Sequence, residues 1–252
     1  MARGAVPAPG FRYNTAMEWT DDGIVISLKR HGESSAIVGV LTKEHGRCAG
    51  LLRGATGKRL RGVVQPGNRV RVRWRARLAE HLGTWSLEPT GNAVTAFLLS
   101  DPVRLVALGS ACALIEACLP EREPHPSIQR ALDLWLDLLV SDGPWAGAYV
   151  KWEQGLLAEL GFGLDLTSCA ATGAVDDLIH VSPKSGRAVS AEAGVPYKDR
   201  LLPLPKFLLQ EGAAGDPKQV RDGLTLTGYF LDRHLFHGEG LPAARRRFFS
   251  LF

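Results

Sequence analysis

Five arginines alternate with apolar residues in one short stretch of the chain, which reads R-V-R-V-R-W-R-A-R-L from Arg69 to Leu78. A strict period of two is typical of a half-buried β-strand, so the arginines are predicted to lie on its solvent face. Neighbouring guanidinium groups would then stand roughly 6.5 to 7 Å apart and repel one another. Because the guanidinium fork suits phosphate, the pattern indicates a nucleic-acid contact rather than a solvated strand whose charge merely prevents edge-to-edge pairing.

The basic residues are concentrated around this stretch. Between Lys43 and Arg77 there are eleven Lys or Arg residues and one acid, Glu44, whereas the rest of the chain carries 19 bases and 25 acids. The formal net charge of +4 therefore conceals one strongly basic segment beside an acidic remainder. A solvated face usually mixes both signs of charge, which again favours an anionic partner.

Length and composition limit the class of protein. A chain of 252 residues with 45% hydrophobic content is long enough for one large or two to three small domains. Residues 1–16 lack the apolar core of a signal peptide and are predicted to be a disordered extension, unless translation starts at Met17. The four cysteines form no C-x-x-C pair, so a reducing cytosol is expected. The longest weakly polar run, Val106 to Ile115, is too short for a membrane span, so no membrane association is expected.

Residues 23–94 have an all-β pattern. Five β-rich segments with glycine-rich turns fit a small barrel or sandwich, and the five-stranded OB-fold is the typical nucleic-acid-binding example. The segment from Arg53 to Gly62 is predicted to be a mobile basic loop that clamps the backbone. It lacks the first glycine and the final Ser or Thr of a phosphate-binding loop, so no nucleotide hydrolysis is expected.

After Ser100 the periodicity becomes helical. Prolines at helix starts predict helices over about 102–119, 126–140, 144–160 and 217–236, with a shorter one near 205–210. The first is apolar nearly all round and is predicted to be buried. Residues 164–203 are predicted to form a small β-rich insertion. The tail carries Arg245, Arg246 and Arg247 beside aromatic residues, which predicts either a second nucleic-acid contact or a frayed basic terminus.

No combination of residues resembles an active site or a metal site. His234 and His237 have no companion ligand at a suitable spacing, and Gly161-Phe-Gly163 is predicted to end a helix rather than bind a dinucleotide. The adjacent acids Asp21 and Asp22 should point to opposite faces of a strand, which is poor geometry for a carboxylate pair. No enzyme activity, cofactor or metal is therefore expected.

Several motifs in order resemble the RecO family of bacterial recombination mediators. They are Gly23 to Ile26, Gly32 to Ser35, Leu41 to Arg47, Arg53 to Ala55, Leu60 to Gly67, Leu156 to Gly163, Ser182 to Val189 and Arg233 to Phe236. The resemblance covers Met17 to the end of the chain. It implies an N-terminal OB-fold, a helical domain, and a small element like a zinc ribbon within it.

The resemblance also implies partners. Members bind single- and double-stranded DNA, anneal complementary strands, and act with RecR to load RecA onto DNA coated by single-strand-binding protein. The acidic C-terminal tail of that protein is expected near Lys151 and Trp152. The zinc element would retain one thiol of four, Cys169, so it is expected to persist without metal, held by packing, with Cys169 buried.

The sequence thus predicts an α+β protein. Residues 1–16 form an extension, 17–98 a five-stranded OB-fold barrel, and 99–252 a helical domain with a β insertion resembling a zinc ribbon without its ligands. The expected function is non-enzymatic DNA binding and annealing in repair, in the cytoplasm and associated with the nucleoid; an OB-fold RNA binder or a structural adaptor are alternatives. The predicted DNA-binding residues are Arg47, Arg53, Lys58, Arg59, Arg61, Arg69, Arg71, Arg73, Arg75 and Arg77. The alternative is that the arginines of this strand face acids of the helical domain at a domain interface, in which case they are structural and the DNA path lies elsewhere.

Overall fold

The computed structural model describes residues 17–78, 80–210, 212 and 214–252. The predicted extension 1–16 lies outside these residues. No helix in the described part of the chain is long and apolar enough to cross a membrane.

A closed five-stranded barrel forms the N-terminal part, as predicted. Its strands are β1 (Met17–His31), β2 (Ser35–Thr42), β3 (Gly46–Leu52), β4 (Arg69–Ala76) and β5 (Gly83–Pro89), in the order β1-β2-β3-β5-β4. β1 is long enough to pair with β4 through its first half and with β2 through its second half. All neighbours are antiparallel except the short parallel pair of β3 and β5.

The alternation in β4 gives the predicted division of faces. Val70, Val72 and Trp74 are at most 3% exposed and fill the barrel, whereas Arg71, Arg73 and Arg75 point outward. A closed barrel has an inside and an outside, so residues two apart along each strand share a side.

The segment between β3 and β4 differs from the mobile loop predicted from its glycines. It contains a one-turn helix, α1 (Lys58–Arg61). Ala55 and Val64 on either side of this turn are 4% and 0% exposed and pack into the barrel core. Its two ends are thus anchored by apolar contacts, which keep the backbone that carries the basic side chains beside the barrel.

Helices make up most of the remainder. The four long ones begin and end close to the predicted positions, whereas the three short ones were not predicted. They are α2 (Val94–Leu98), α3 (Pro102–Cys118), α4 (Pro126–Leu139), α5 (Trp145–Glu159), α6 (Ala191–Gly194), α7 (Pro217–Leu235) and α8 (Ala243–Phe249). The Asp101 side chain accepts from the N–H groups of Val103 and Arg104, and Asp216 forms a capping box with Gln219. Gly161, with φ of 88°, follows the end of α5 as predicted.

The barrel and the helices share a core. Ile24, Ile26 and Leu41 of the barrel pack in the same buried cluster as Leu108 and Ile115 of α3. This explains why α3 is apolar on nearly every side: it lies against the barrel on one side and against α8 on another.

The predicted β-rich insertion is present as a three-stranded sheet of β6 (Leu178–Val181), β7 (Ala188–Ser190) and β8 (Leu202–Pro203). Cys169 is 1% exposed, which confirms its predicted burial. The backbone N–H and the hydroxyl of Ser190 donate to its sulfur over 3.3 and 3.4 Å. The element is thus held by hydrogen bonds as well as by the packing that we expected.

The tail forms helix α8, so the prediction of a frayed terminus is wrong. A second nucleic-acid contact stays a prediction, but only Arg246 and Arg247 are exposed for it. Arg245 of α8 is 1% exposed, and its Nη2 donates to Glu153 of α5 over 2.9 Å and to the carbonyl of Leu224 over 2.9 Å. The Thr227 hydroxyl donates to the same carboxylate. Burial opposes the charge on Arg245, but the Glu153 carboxylate outweighs it and raises the pKa of the guanidinium.

Replacing Arg245 by Met should therefore lower the free energy of unfolding by about 3–5 kcal/mol, because the Glu153 carboxylate would remain buried without its partner. Urea denaturation followed by circular dichroism measures this change. Arg247→Met, two residues away and exposed, is the matched control and should change little. Adding Glu153→Leu to Arg245→Met should recover much of the loss; a double variant that is as unstable as the single one would contradict this account.

Candidate nucleic-acid interface

The outward arginines of β4 are each close to an acid, which the count of charges along the sequence did not reveal. Arg71 donates through Nε to Asp22 over 2.9 Å, and Arg73 donates to Glu18 over 2.5 Å. Arg75 lies 3.9 Å from the second oxygen of Glu18. All three arginine side chains remain more than half exposed. We call Arg71, Arg73 and Arg75 the arginine ladder.

The acids come from β1, which pairs with β4 so that Asp22 stands opposite Arg71 and Glu18 opposite Arg75. Opposite charges across a strand pair reduce the repulsion within the ladder. The hydrogen bond from Arg71 holds the pKa of the Asp22 carboxyl below its usual range. Exposed ion pairs of this kind are weak because water screens them, so a phosphate can compete for the same guanidinium groups.

Arg69 does not belong to this exposed set. Its side chain is 23% exposed and bonds to Asp133 over 2.5 Å and to Asp137 over 2.7 Å, both on α4. These acids are four residues apart and therefore lie on one face of the helix. That spacing was the signal in the sequence that could have identified a partner for Arg69. Arg69 thus ties the barrel to the helices.

Arg47 has a similar role. Its Nε donates to the carbonyl of Leu119 over 2.9 Å, and Nη1 lies 3.3 Å from Glu121. The backbone of Arg47 also accepts from the N–H of Arg122. The backbone at Gly46 packs closely against the backbone of Glu123. Only glycine fits there, since its φ is 68° and a Cβ would lie 2.1 Å from the carbonyl oxygen of Glu123. Arg47 therefore fastens the connection between α3 and α4 to the barrel.

The remaining predicted residues form the most open group of cations. Among the residues that the structure describes, none of the following has a carboxylate within 4 Å: Arg53, Lys58, Arg59, Arg61 and Arg77. The first four lie on the segment that carries α1, and each is exposed.

Arg30, at the end of β1, lines a cavity of about 420 Å³ together with Arg61. Arg30 lies outside the basic segment of the sequence, and only the tertiary structure brings the end of β1 beside α1. We call Arg30, Arg53, Lys58, Arg59 and Arg61 the loop patch. Lys58, Arg59 and Arg69 line one smaller cavity, which places the patch beside the start of β4.

The loop patch and the ladder are therefore continuous. β4 begins at Arg69 beside the patch and runs for eight residues, about 25 Å at the usual rise, to Ala76. Arg71, Arg73 and Arg75 lie between these two points, and Arg77 follows immediately. The arrangement is a basic track along one side of the barrel.

Of the two predicted partner-binding residues, Trp152 is 3% exposed and lies in the helical core. It has no surface to offer a partner, because its ring faces the buried interior of the bundle. Lys151 is at the surface, and its Nζ donates to the carbonyl of Gln210 over 3.0 Å. A separate apolar cavity of about 550 Å³ lies between α3 and α8, lined by Leu105, Val106, Ala243 and Ala244 with Arg247 at its edge.

One group of side chains in the barrel resembles a nucleophile with its base. Cys48 lies near His45, and the His45 ring bonds to the buried carboxylate of Asp21 over 3.0 Å. Burial raises the pKa of the Cys48 thiol to about 11, and its sulfur donates to the carbonyl of His45. Since only the thiolate is a good nucleophile, this cysteine is not activated for catalysis at neutral pH.

Asp21 and Asp22 point to opposite faces of β1 as predicted, one toward His45 and one toward Arg71. His234 stacks between Phe162 and Phe230. Among the described residues no three His, Cys, Asp or Glu side chains are grouped so that they could hold a metal ion.

Comparison with known proteins matches both parts of the chain. Residues 17–91 match the family model of the recombination protein O N terminus, and residues 99–240 match that of its C terminus. The chain is 56% identical over 237 residues to the DNA repair protein RecO of Rhodospirillum centenum, covering 92% of this chain and 93% of that protein.

Similar relatives occur in other bacteria. The DNA repair protein RecO of Rhodospirillum rubrum is 50% identical over 92% of this chain and 95% of its own length. That of Methylocella silvestris is 48% identical over 94% and 96%. With both family models matched over nearly all of the barrel and the helices, the chain belongs to the RecO family of DNA repair proteins.

Proposed function

We propose that this repair protein binds the sugar-phosphate backbone of single- and double-stranded DNA along the basic track. The loop patch carries the proposal, since its cations are exposed and have no carboxylate neighbour in the described part of the chain, and three of them lie on α1. Neutralising phosphates releases counterions, which favours binding of any base sequence. The arginine ladder extends the contact once phosphates displace Asp22 and Glu18.

Strand annealing follows from the same electrostatics. Two complementary strands repel each other through their phosphates, and a surface that neutralises both lowers this repulsion. We further propose that the protein acts with RecR to load RecA onto DNA coated by single-strand-binding protein. The role is non-enzymatic: the chain would act by binding and positioning strands, which would also keep it with the cytoplasmic nucleoid. An RNA-binding role has less support, because the relatives are named for DNA repair.

The tail of single-strand-binding protein would dock on the helical domain. An acidic and hydrophobic tail requires an apolar groove with a cation at its edge, and the cavity between α3 and α8 with Arg247 has this chemistry. Lys151 remains a second candidate for the cation.

Changing Lys58, Arg59 and Arg61 together to Ala should weaken binding to all base sequences alike. If each contacts one phosphate of single-stranded DNA, the slope of log affinity against log salt should become shallower by about 2. Fluorescence anisotropy with labelled oligonucleotides at several salt concentrations measures both quantities. The same variant should also anneal complementary strands more slowly.

A matched control removes three exposed cations elsewhere: Lys184→Ala, Lys198→Ala and Arg200→Ala in the insertion. This control should leave the salt slope nearly unchanged. Equal slopes for the wild type and the α1 variant would contradict the proposed site.

A second test removes the acids beside the ladder and is expected to strengthen DNA binding rather than weaken it. Replacing Glu18 by Gln and Asp22 by Asn should tighten DNA binding, because the guanidinium groups of Arg71 and Arg73 lose their competing carboxylates while the fold is retained. Anisotropy at moderate salt measures the change, and Asp165→Asn, which frees Arg187 in the insertion, serves as the control. Weaker binding, or lower stability without tighter binding, would show that the ladder acts mainly as a structural contact.

For the partner, a labelled acidic and hydrophobic peptide with the sequence of the tail should bind less tightly to Arg247→Ala than to the wild type. Lys151→Ala should have the smaller effect, since its ammonium group is already bonded to a backbone carbonyl. Anisotropy of the peptide and capture of purified single-strand-binding protein measure this, with capture of RecR as a control for folding. A larger loss with Lys151→Ala would place the tail at α5 instead.

A further inference from the structure

A cavity of about 260 Å³ opens at the end of the barrel opposite the loop patch. It lies where β1 begins, β4 ends and the turn between β2 and β3 passes, and it is lined by Met17, Trp19, Glu44, His45, Trp74 and Arg122. The cavity is smaller than the roughly 300–1,000 Å³ of sites for drug-sized molecules. A single flat ring system suits its size.

Three rings in this cavity are close to parallel. His45 stacks on Trp19 with centroids 3.9 Å apart and planes 4° apart, and Trp19 lies 5.6 Å from Trp74 at 18°. Trp74 is 3% exposed, whereas the His45 side chain is 37% exposed. His45 therefore offers the accessible end of a set of stacked rings.

The ring of His45 is held in this orientation by a buried acid. Asp21 is 8% exposed; its Oδ2 is 3.0 Å from the His45 Nδ1 and accepts from the backbone N–H of Glu44 over 2.8 Å. A side chain that is already oriented loses little conformational freedom when a ligand stacks on it. This favours binding of a planar ligand.

Two polar groups at the cavity could contact the edge of such a ligand. The guanidinium of Arg122 lies 5.5 Å from the Trp74 ring centroid and is fixed by a hydrogen bond to the carbonyl of His81. Arg122 has a φ of 62°, an uncommon conformation for a residue other than glycine. Glu44 supplies an acceptor, and both groups can hydrogen-bond to base edges.

The cavity also adjoins the end of the basic track. Ala76, the last residue of β4, pairs with Met17 at the cavity, Arg75 pairs with Glu18, and Arg77 follows directly. A strand whose phosphates lie on the ladder would thus bring its bases to the cavity.

From these contacts we infer that the cavity binds one unpaired nucleobase of a DNA strand lying on the track. This inference rests on the proposed function and adds to it a site for the base. A paired base has its faces stacked and its edge occupied in the duplex, so only an unpaired base can enter. The cavity therefore gives the protein a means to distinguish single strands from duplex.

The test compares two oligonucleotides of equal length and charge, a thymidine tract and an abasic backbone. The wild type should bind the thymidine tract roughly 5- to 150-fold more tightly, the effect of one base stacking on an aromatic ring. His45→Leu, which keeps an apolar side chain but removes the ring, should bring the two affinities close together. His45→Phe restores a flat ring and should restore much of the difference. His31→Leu, at the far end of β1, is the matched control.

Arg122→Asn is a second variant, since asparagine tolerates the left-handed backbone conformation. It should reduce the preference for the thymidine tract without changing the salt slope, and circular dichroism would verify that each variant is folded. Equal binding of both oligonucleotides by the wild type would overturn the base site while leaving the proposed backbone contact intact. Binding of neither would overturn both.

An unchanged preference in His45→Leu and Arg122→Asn would also overturn the inference. If those variants instead lost capture of RecR or single-strand-binding protein while keeping the preference, the cavity would be a protein contact.

Discussion

The closure of the five-stranded barrel is the constraint on which the rest of the structure depends. Each strand of a closed barrel has one face inside and one outside, so the alternating pattern of β4 leaves its arginines no place except the outer surface. The same closure brings β1 beside β4, which sets acids opposite those arginines. It also creates two ends of the barrel, one near α1 and one lined by aromatic rings.

Charge in this protein is distributed according to spatial neighbours rather than neighbours in the sequence. The basic segment contains one acid along its length, yet Glu18, Asp22, Asp133 and Asp137 reach its arginines from outside it. These contacts separate the cations into three groups. Arg47 and Arg69 join the barrel to the helices, the arginine ladder lies beside the acids of β1, and the loop patch remains open to an anionic partner.

In the interior, too, the environment of a charge in the C-terminal helix is set by its spatial neighbours rather than by its neighbours in the sequence. Three consecutive arginines suggest a solvated or DNA-binding tail, but Arg245 is buried against Glu153, 92 residues away in the sequence. Arg246 and Arg247 stay exposed because successive side chains of a helix point about 100° apart, so neither faces Glu153 as Arg245 does. One turn of a short helix thus places adjacent arginines in opposite environments, and the buried pair fixes α8 against the bundle.

The sequence by itself determined the barrel, the positions of the long helices, the β insertion and the burial of Cys169. These features follow from local signals: a period of two in strands, aspartate and proline at helix starts, and glycine where a helix ends. Only the tertiary structure decided which cations are free, where Arg30 and Arg122 lie, and that Trp19, His45 and Trp74 form one cavity. The reason is physical: a charge or a ring acquires its role from the groups within a few ångströms of it, and in this fold most of those groups come from distant parts of the chain.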